Sequence, residues 1–487
     1  MSPMTHIWFF LLRDTFEEVV KMTSKGHRRA SLKQLKQRLM GPAENALIAT
    51  SQQHLGYMKV GEVLHLQGPY IPIENFISAV RRLQLRHPFL RSRLESNPAK
   101  PGTYLLQEDH SLDLNVIELL RNRSDHANFW REQWKIREKE PAVVGQGLAE
   151  FWLLQDPNDD NDDNSPREIV VICEHSICDG LSLSTVAHEL LLSLSEDNTN
   201  MFETSLNWPI TMEAAVRRTF TKWNRVRKYG KFIPTALYWR ATSCRRTVRI
   251  PLTPAHDSTS EMAKNCQTEA FYGRLNKEAT NNLLEKCRSE GVTMTSAIGS
   301  AVLCAISKLV NTKKEHVDEL VLALTADTRQ RCNPQIPNHD LSFHASATMA
   351  FTMPKREIPT TSEGMWKLAM TFGTHLKNSL DAGHIHVLAM MLGRLYQKNI
   401  HQPNYAEVPT CIISNWGRLP FQEQYGQWQL IDTTPFLNLI LTVMPYIFVQ
   451  TVNGNLTIGI MGSVPTMSSN VLEDLCNGTI RNLFFND

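Results

Sequence analysis

Residues 168–180 read EIVVICEHSICDG, an apolar run that leads into a short polar segment and ends at a glycine. The run EIVVIC is continuous and rich in β-branched residues, which is typical of a buried strand. The apolar positions of residues 183–194 predict a helix directly after it. His175 therefore lies where a buried strand ends, and Asp179 and Gly180 lie just before the predicted helix.

The spacing of these three residues suits a catalytic loop. A strand end holds an imidazole rigidly beside a cleft, and a neutral imidazole can take a proton at neutral pH. Asp179 could lock the turn by pairing with a cation, and Gly180 would permit a positive φ and a close backbone approach. A core histidine bonded to the backbone would give the same pattern, so both interpretations stay open from the motif alone.

A zinc site is a competing interpretation of the same segment. Cys173, His175 and Cys178 could supply three ligands, because residues i and i+2 of a strand face the same side. No fourth ligand nearby has suitable spacing, and none of the nine cysteines forms a CxxC pair. His384 and His386 form the only other close histidine pair, and an exposed strand explains them equally well. We therefore predict no metal site and reduced cysteines.

Composition narrows the class of protein. The chain has 487 residues, of which 42% are apolar and 21% charged, so a disordered or collagen-like chain is excluded. The 51 Lys and Arg against 49 Asp and Glu give no argument for a nucleic-acid partner. No apolar run reaches the ~18–20 residues of a membrane span. Without a recognisable secretory signal, we predict a cytoplasmic protein with no transmembrane segment.

The order of predicted elements indicates an α/β protein. Two halves of the chain each alternate strands and helices, and the predicted strands include residues 319–324, 345–352 and 436–450. We predict four units along the chain. They are an N-terminal helical extension at 1–40, a first half with the histidine motif at 41–200, a basic linker at 201–265 and a second half at 266–487.

The segment HSICDG resembles the HxxxDG signature of the acyltransferase superfamily that includes chloramphenicol acetyltransferase, condensation domains, and plant and fungal acyltransferases. Further segments are similar to that superfamily in the expected order, over residues 40–485. They are LRHPFLRSR at 85–93, LYW at 237–239 with IPL at 250–252, residues 277–303, DTR at 327–329 and SNWG at 414–417. The spacing most resembles that of alcohol acetyltransferases and polyketide-associated acyltransferases.

Two departures from the superfamily patterns are visible. Condensation domains usually carry two adjacent histidines, and Glu174 occupies the first of these positions here. The plant-type DFGWG element lacks its aspartate, so that only Trp416 and Gly417 match. His175 corresponds to the functional histidine of the pair and is retained.

The resemblance implies two chloramphenicol acetyltransferase-like domains, each a mixed sheet with helices, and an active-site channel at their interface. It implies that His175 is the general base of acyl transfer from acyl-CoA, a co-substrate and not a bound cofactor, to an alcohol. It also implies that Asp179 pairs with Arg329 of the second half. Transfer to an amine, a donor bound to an acyl carrier protein, and a non-catalytic binding protein on the same fold are the alternatives.

A thioester reaction passes through an oxyanion that needs hydrogen-bond donors. The backbone N–H of Gly180, the side chain of Asn415 and the indole N–H of Trp416, with Gly417 beside them, are the predicted donors and support. An equally simple interpretation is a turn with a packing tryptophan. No CoA-binding residue is identified.

The stretch 217–249 carries 11 Lys or Arg and no Asp or Glu. It could contact the 3′-phosphate of CoA, an acidic carrier protein or an anionic membrane surface, or it could be a solvated helix face with a linker.

Overall fold

The computed structural model describes residues 36–121, 128–157, 165–196, 199–242, 250, 259–310, 319–401 and 409–484. Most of the predicted extension at 1–40 and parts of the basic linker lie outside these residues. The predicted unit boundaries stay predictions.

Strands and helices alternate along the first part of the chain. In order they are β1 (Gln37–Leu39), α1 (Pro42–Gln53), β2 (Val60–Gln67), α2 (Ile73–Arg86), β3 (Ser92–Ser96), β4 (Tyr104–Glu108), β5 (Asn115–Leu120), α3 (Phe129–Arg137), β6 (Ala149–Gln155), β7 (Pro166–Cys173), α4 (Gly180–Leu194), α5 (Met212–Thr219), α6 (Lys222–Thr242) and α7 (Thr259–Asn265).

The second part of the chain repeats this alternation. Its elements are β8 (Gln267–Leu275), α8 (Lys277–Ser289), α9 (Met294–Leu309), β9 (Glu319–Asp327), β10 (Ala345–Ala347), β11 (Phe351–Pro354), α10 (Ser362–Asp381), α11 (His384–His401), β12 (Cys411–Arg418), β13 (Gln424–Tyr425), β14 (Trp428–Leu437), β15 (Tyr446–Val452), β16 (Asn455–Val464) and α12 (Ser469–Leu483).

The described strands form two large mixed sheets and a small one. The first large sheet has the order β13-β14-β2-β7-β6-β5, and the second has the order β10-β9-β12-β15-β16-β8 with β11 also on β9. Strands β1, β4 and β3 form the small sheet. The predicted α/β architecture of two sheets with helices is confirmed.

Strand β14 crosses from the second part of the chain into the first sheet. It pairs antiparallel with β2, from Gln429 opposite Gln67 to Leu437 opposite Val60. Strand β15 then returns to the second sheet beside β12. The predicted single strand over 436–450 is therefore wrong, because the chain leaves one sheet after Leu437 and enters the other at Tyr446.

Each of the two large sheets packs against its own hydrophobic core. One core lies on the first large sheet, where Phe151, Trp152 and Val170 are fully buried. A second core lies between the other sheet and its helices and contains Ile298, Leu322 and Phe372. In the described part of the chain no single helix has the length and apolar composition of a membrane span. Helices α8 and α9 have the required length and apolar composition only when taken together, and the chain bends by 96° between them.

The buried carboxyl of Glu62 on β2 should make the folding stability measurably dependent on pH. Its side chain is fully buried, and burial raises the pKa of its carboxyl to about 7, although the Ser184 hydroxyl donates to it at 2.6 Å. A raised pKa in the folded state stabilises the fold below the unfolded pKa near 4.5, and this contribution is lost as the pH rises through 7. We expect a loss of about 3 kcal/mol from this group between pH 4.5 and 7.5.

Thermal denaturation at several pH values in that range tests this expectation. Glu62→Gln is expected to lose less stability than the wild type as the pH rises, because the amide does not titrate. Glu74→Gln, which changes an exposed carboxyl, is the matched control. Parallel pH curves for the wild type and Glu62→Gln would contradict the prediction.

Candidate active site

His175 lies in the loop between β7 and α4, as the sequence predicts. Its Nδ1–H donates to the carbonyl oxygen of Cys178 at 2.8 Å, because a carbonyl can only accept. The lone pair is thereby placed on Nε2, which has no hydrogen-bond partner in the described part of the chain. The ring of Phe343 packs edge-on against the imidazole, with 5.1 Å between centroids. The imidazole is held in one tautomer with its acceptor nitrogen available.

The surroundings of His175 keep the imidazole neutral. Burial lowers its pKa below the ordinary value of 6.5, although the Cys178 carbonyl and the charge of Asp179 act in the opposite direction. The thiol of Cys178 is also buried, and burial raises its pKa well above the usual value. This loop therefore offers a neutral base beside a thiol that is protonated at neutral pH.

Asp179 is the N-cap residue of α4. Its Oδ1 accepts the backbone N–H of Ser182 at 3.0 Å, while its Oδ2 accepts Nη1 of Arg329 at 2.7 Å and the backbone N–H of His344 at 2.8 Å. Burial would raise the pKa of this carboxyl, but the Arg329 guanidinium and these hydrogen bonds lower it overall. The ion pair predicted between Asp179 and Arg329 is present in the structure.

Arg329 joins the histidine loop to the second sheet. Its side chain is 0% exposed, and it contacts three oxygens from different segments. Besides Asp179, Nη1 donates to Asp327 at 3.0 Å, and Nη2 donates to the carbonyl of Ser342 at 2.7 Å. Because Asp327 ends β9 and Ser342 lies before β10, the arginine fixes the position of the loop relative to these strands.

Only one of the two reasons predicted for Gly180 holds in the structure. Gly180 does not adopt a positive φ. A Cβ at this position would clash with the indole ring of Trp416, so the first turn of α4 lies directly against that ring. The predicted close approach is present, and the group that approaches is Trp416.

Residues 415–417 form a bulge in β12. The register with β15 shifts between Asn415 and Gly417, and Gly417 takes a φ of +77°, which favours glycine. The Asn415 side chain accepts the N–H of Gly417 at 2.8 Å and donates to the hydroxyl of Thr295 at 2.7 Å. The indole N–H of Trp416 donates to the hydroxyl of Ser414 at 3.2 Å. Two of the predicted oxyanion donors are thus already hydrogen bonded within the protein.

Ser414 is the residue that the sequence analysis missed. Its oxygen accepts from Trp416 and also from the hydroxyl of Thr325 at 3.1 Å. The Thr325 hydroxyl also lies 3.4 Å from the carbonyl of Ile413, and the contact with Ser414 is the shorter one. With the Thr325 hydrogen directed to Ser414, the O–H of Ser414 has no acceptor among the described residues. Ser414 lines the same cavity as His175. The sequence signal was the position of Ser414, directly after the apolar run CII and two residues before Trp416. Strand residues two positions apart lie on the same face of the sheet, so Ser414 could be expected on the same face as Trp416.

One cavity brings these residues together. Its volume is about 230 Å³, and its walls come from both large sheets. His175, Gly180, Ser414, Asn415 and Trp416 all line it. The histidine loop of the first half and the β12 bulge of the second half therefore line the same cavity.

Two other sequence interpretations can now be placed. His384 and His386 are buried at the start of α11, so the interpretation of this pair as part of an exposed strand is wrong. Within the described ranges no group of three or more His, Cys, Asp or Glu is arranged to hold a metal ion.

The basic stretch includes α6, where Trp223 is 77% exposed. The four interpretations of this stretch stay predictions.

Part of the chain matches a known protein family. Residues 267–461 match the family described as phthiocerol/phthiodiolone dimycocerosyl transferase C-terminus. No curated protein sequence matches the chain at a significant level.

Solved structures share the fold over nearly the whole chain. A trichothecene 15-O-acetyltransferase from Fusarium sporotrichioides is 11% identical with a TM-score of 0.74, covering 94% of this chain and 96% of its own. Polyketide synthase associated protein 5 from Mycobacterium tuberculosis is 16% identical with a TM-score of 0.63, covering 92% and 98%. The first condensation domain of the calcium-dependent antibiotic synthetase is 12% identical with a TM-score of 0.63, covering 92% and 95%. The predicted resemblance to the acyltransferase and condensation-domain superfamily is confirmed.

Proposed function

We propose that this protein, whose fold resembles that of the acyltransferases and condensation domains, transfers an acyl group from a CoA thioester to an alcohol, with His175 as the general base. The observation that carries the proposal is the hydrogen bond from Nδ1 to the Cys178 carbonyl at 2.8 Å, which leaves a neutral Nε2 beside the cavity. The cavity between the sheets is the proposed active site, with CoA and acceptor entering from two sides. We place the protein in the cytoplasm.

The reaction needs only one proton carrier. Nε2 takes the hydroxyl proton of the acceptor as its oxygen attacks the thioester carbonyl carbon. The C–S bond of the tetrahedral intermediate then breaks, and the imidazolium returns the proton to the leaving thiolate. A protonated Cys178 with a raised pKa is a poor nucleophile, which favours direct transfer over an acyl-enzyme.

Asp179 has a positioning role in this mechanism. Each of its carboxylate oxygens already accepts hydrogen bonds inside the protein, so the carboxylate is not a second base for the substrate. It caps α4 and ties the histidine loop to Arg329.

The free O–H of Ser414 is the donor that we assign to the oxyanion. Ser414→Ala is expected to lower kcat by ~10²–10³-fold, the usual effect of losing one oxyanion donor. The KM values should change less, because the negative charge on that oxygen forms only in the transition state. Steady-state kinetics of Ser414→Ala and of the distant control Ser78→Ala measure this. An unchanged kcat would remove Ser414 from the mechanism.

Release of free thiol from acyl-CoA tests the overall function. Acetyl-, butyryl- and hexanoyl-CoA are incubated with the protein and a panel of alcohols and amines, and ester or amide products are identified by mass spectrometry. Ester formation supports the proposal. Amide formation, or transfer only from a carrier-bound acyl group, would favour the condensation-type alternative. Binding without turnover of either donor would favour a non-catalytic binding protein.

A further inference from the structure

The cavity continues past Ser414 along β12 and β15. In the parallel register of these strands Ile412 lies opposite Tyr446, and Ser414 lies opposite Phe448. All four residues line the cavity. Since two residues of a strand span roughly 7 Å, Tyr446 lies about that far beyond Ser414 along the sheet. The cavity thus extends along the sheet from Ser414 to Tyr446.

Side-chain size creates this space. On β9 and β10 the cavity lining includes the small residues Ala323, Ala326, Ala345 and Ala347 beside Leu324. Other elements contribute the apolar residues Met58, Val60, Leu392 and Leu437. A cavity lined by small and apolar side chains leaves room for a branched or cyclic apolar group.

Two phenol groups interrupt this apolar lining. Tyr396 on α11 and Tyr446 on β15 are both half-buried and both line the cavity. Neither hydroxyl has a hydrogen-bond partner in the part of the chain that the structure describes.

The phenols of Tyr57, Tyr396 and Tyr446 lie close enough to influence one another. Burial raises the pKa of Tyr446 well above its usual value, and Tyr396 and Tyr57 raise it further. Burial also raises the pKa of Tyr396 to about 12. Both hydroxyls are therefore protonated at neutral pH and can each donate one hydrogen bond.

We propose that Tyr396 and Tyr446 bind an oxygen atom of an otherwise apolar substrate in the part of the cavity that their side chains line. The substrate class is thus an oxygenated apolar compound, with a carbonyl or hydroxyl separate from the group that takes part in acyl transfer. A site with unpaired donors discriminates against an analogue that lacks the matching oxygen. This inference rests on the proposed function for the location of the reacting group.

The oxygen can belong to the acyl donor or to the acceptor, and two matched pairs of probes separate these sources. The donor pair is hexanoyl-CoA and the same thioester with a ketone at carbon five. The acceptor pair is hexanol and the same alcohol with a ketone at carbon five. The ratio of kcat/KM within each pair reports whether the oxygen is recognised.

The variants Tyr396→Phe, Tyr446→Phe and their combination remove only the hydroxyls. In the wild type we expect the ketone to be preferred in one of the two pairs. The double variant is expected to raise KM for that ketone roughly five- to tenfold, the range for a lost neutral hydrogen bond, with kcat and the plain probe little changed. Tyr70→Phe is the matched control, because its hydroxyl donates to Glu118 and Tyr70 does not line the cavity. Unchanged ratios in both pairs would overturn the inference.

A binding measurement separates this inference from the proposed function. The ketone alcohol and hexanol are titrated calorimetrically into the wild type and the double variant. The phenol site is supported if the wild type binds the ketone alcohol more tightly than hexanol and the double variant does not. This result would hold even if no acyl transfer occurs. A different outcome would overturn the phenol site and leave the proposed function standing. In that outcome the protein turns over its substrates, the ketone alcohol binds no more tightly than hexanol or does not bind, and the kcat/KM ratios within both probe pairs are the same in the wild type and the double variant.

Discussion

His175→Ala is expected to lower kcat/KM for acyl transfer by ~10²–10⁴-fold while leaving the fold intact. Among the described residues that line the cavity, His175 is the only histidine, so the variant removes the proposed base. It also removes the hydrogen bond to the Cys178 carbonyl, which is a local contact of the loop. Thiol-release kinetics measure the loss, and thermal denaturation with near-ultraviolet circular dichroism checks the fold.

The pH profile adds a readout that a purely structural role would not change. A base must be neutral to accept a proton, and burial holds the pKa of His175 below 6.5. The wild-type kcat/KM should therefore be flat at pH 7 and fall only as the pH drops through that lowered pKa. His110→Ala, at an exposed histidine outside the cavity, is the control. Near-wild-type turnover of His175→Ala would exclude it as the base.

The local part of the site could be predicted from the sequence, because its residues are neighbours along the chain. A continuous β-branched run, a polar loop and an apolar helix pattern place His175 and Asp179 at a strand end without further information. Asp179 and Arg329 are 150 positions apart, and periodicity cannot show that they touch. Their contact was predicted only through the resemblance to a known superfamily.

The missed features depend on tertiary contacts. The chain exchanges sheets between β14 and β15, yet both strands and the loop between them are apolar, so residues 436–450 looked continuous. Pro445, just before β15, was the local sign of a break. His384 and His386 gave too short an alternation to distinguish a strand from the start of a helix. The role of Ser414 depends on hydroxyl and indole partners that only the folded structure reveals.

Breaking the Asp179–Arg329 pair is expected to cost about 3–5 kcal/mol of stability, because each substitution removes a charge partner of a buried ionised group. Asp179→Asn leaves the guanidinium of Arg329, which is 0% exposed, with Asp327 as its remaining carboxylate partner. Arg329→Met strands both Asp179 and Asp327, so it should be the more damaging of the two. The double variant should lose less than the sum of the single losses, since neither of these two charges then remains. Chemical denaturation of all four proteins gives the coupling energy.

The pH dependence of Arg329→Met provides a second test of the same contact. Without the guanidinium, burial raises the pKa of both carboxyls, and a raised folded-state pKa means that stability is regained as the pH falls. We therefore expect this variant to recover part of its loss between pH 7 and pH 5, whereas Asp179→Asn recovers less. Lys367→Met, which breaks the exposed pair with Glu363, should change little at either pH. Additive single losses together with a flat pH response would show that the two side chains do not stabilise each other. The histidine loop would then need another anchor to hold Nε2 at the cavity.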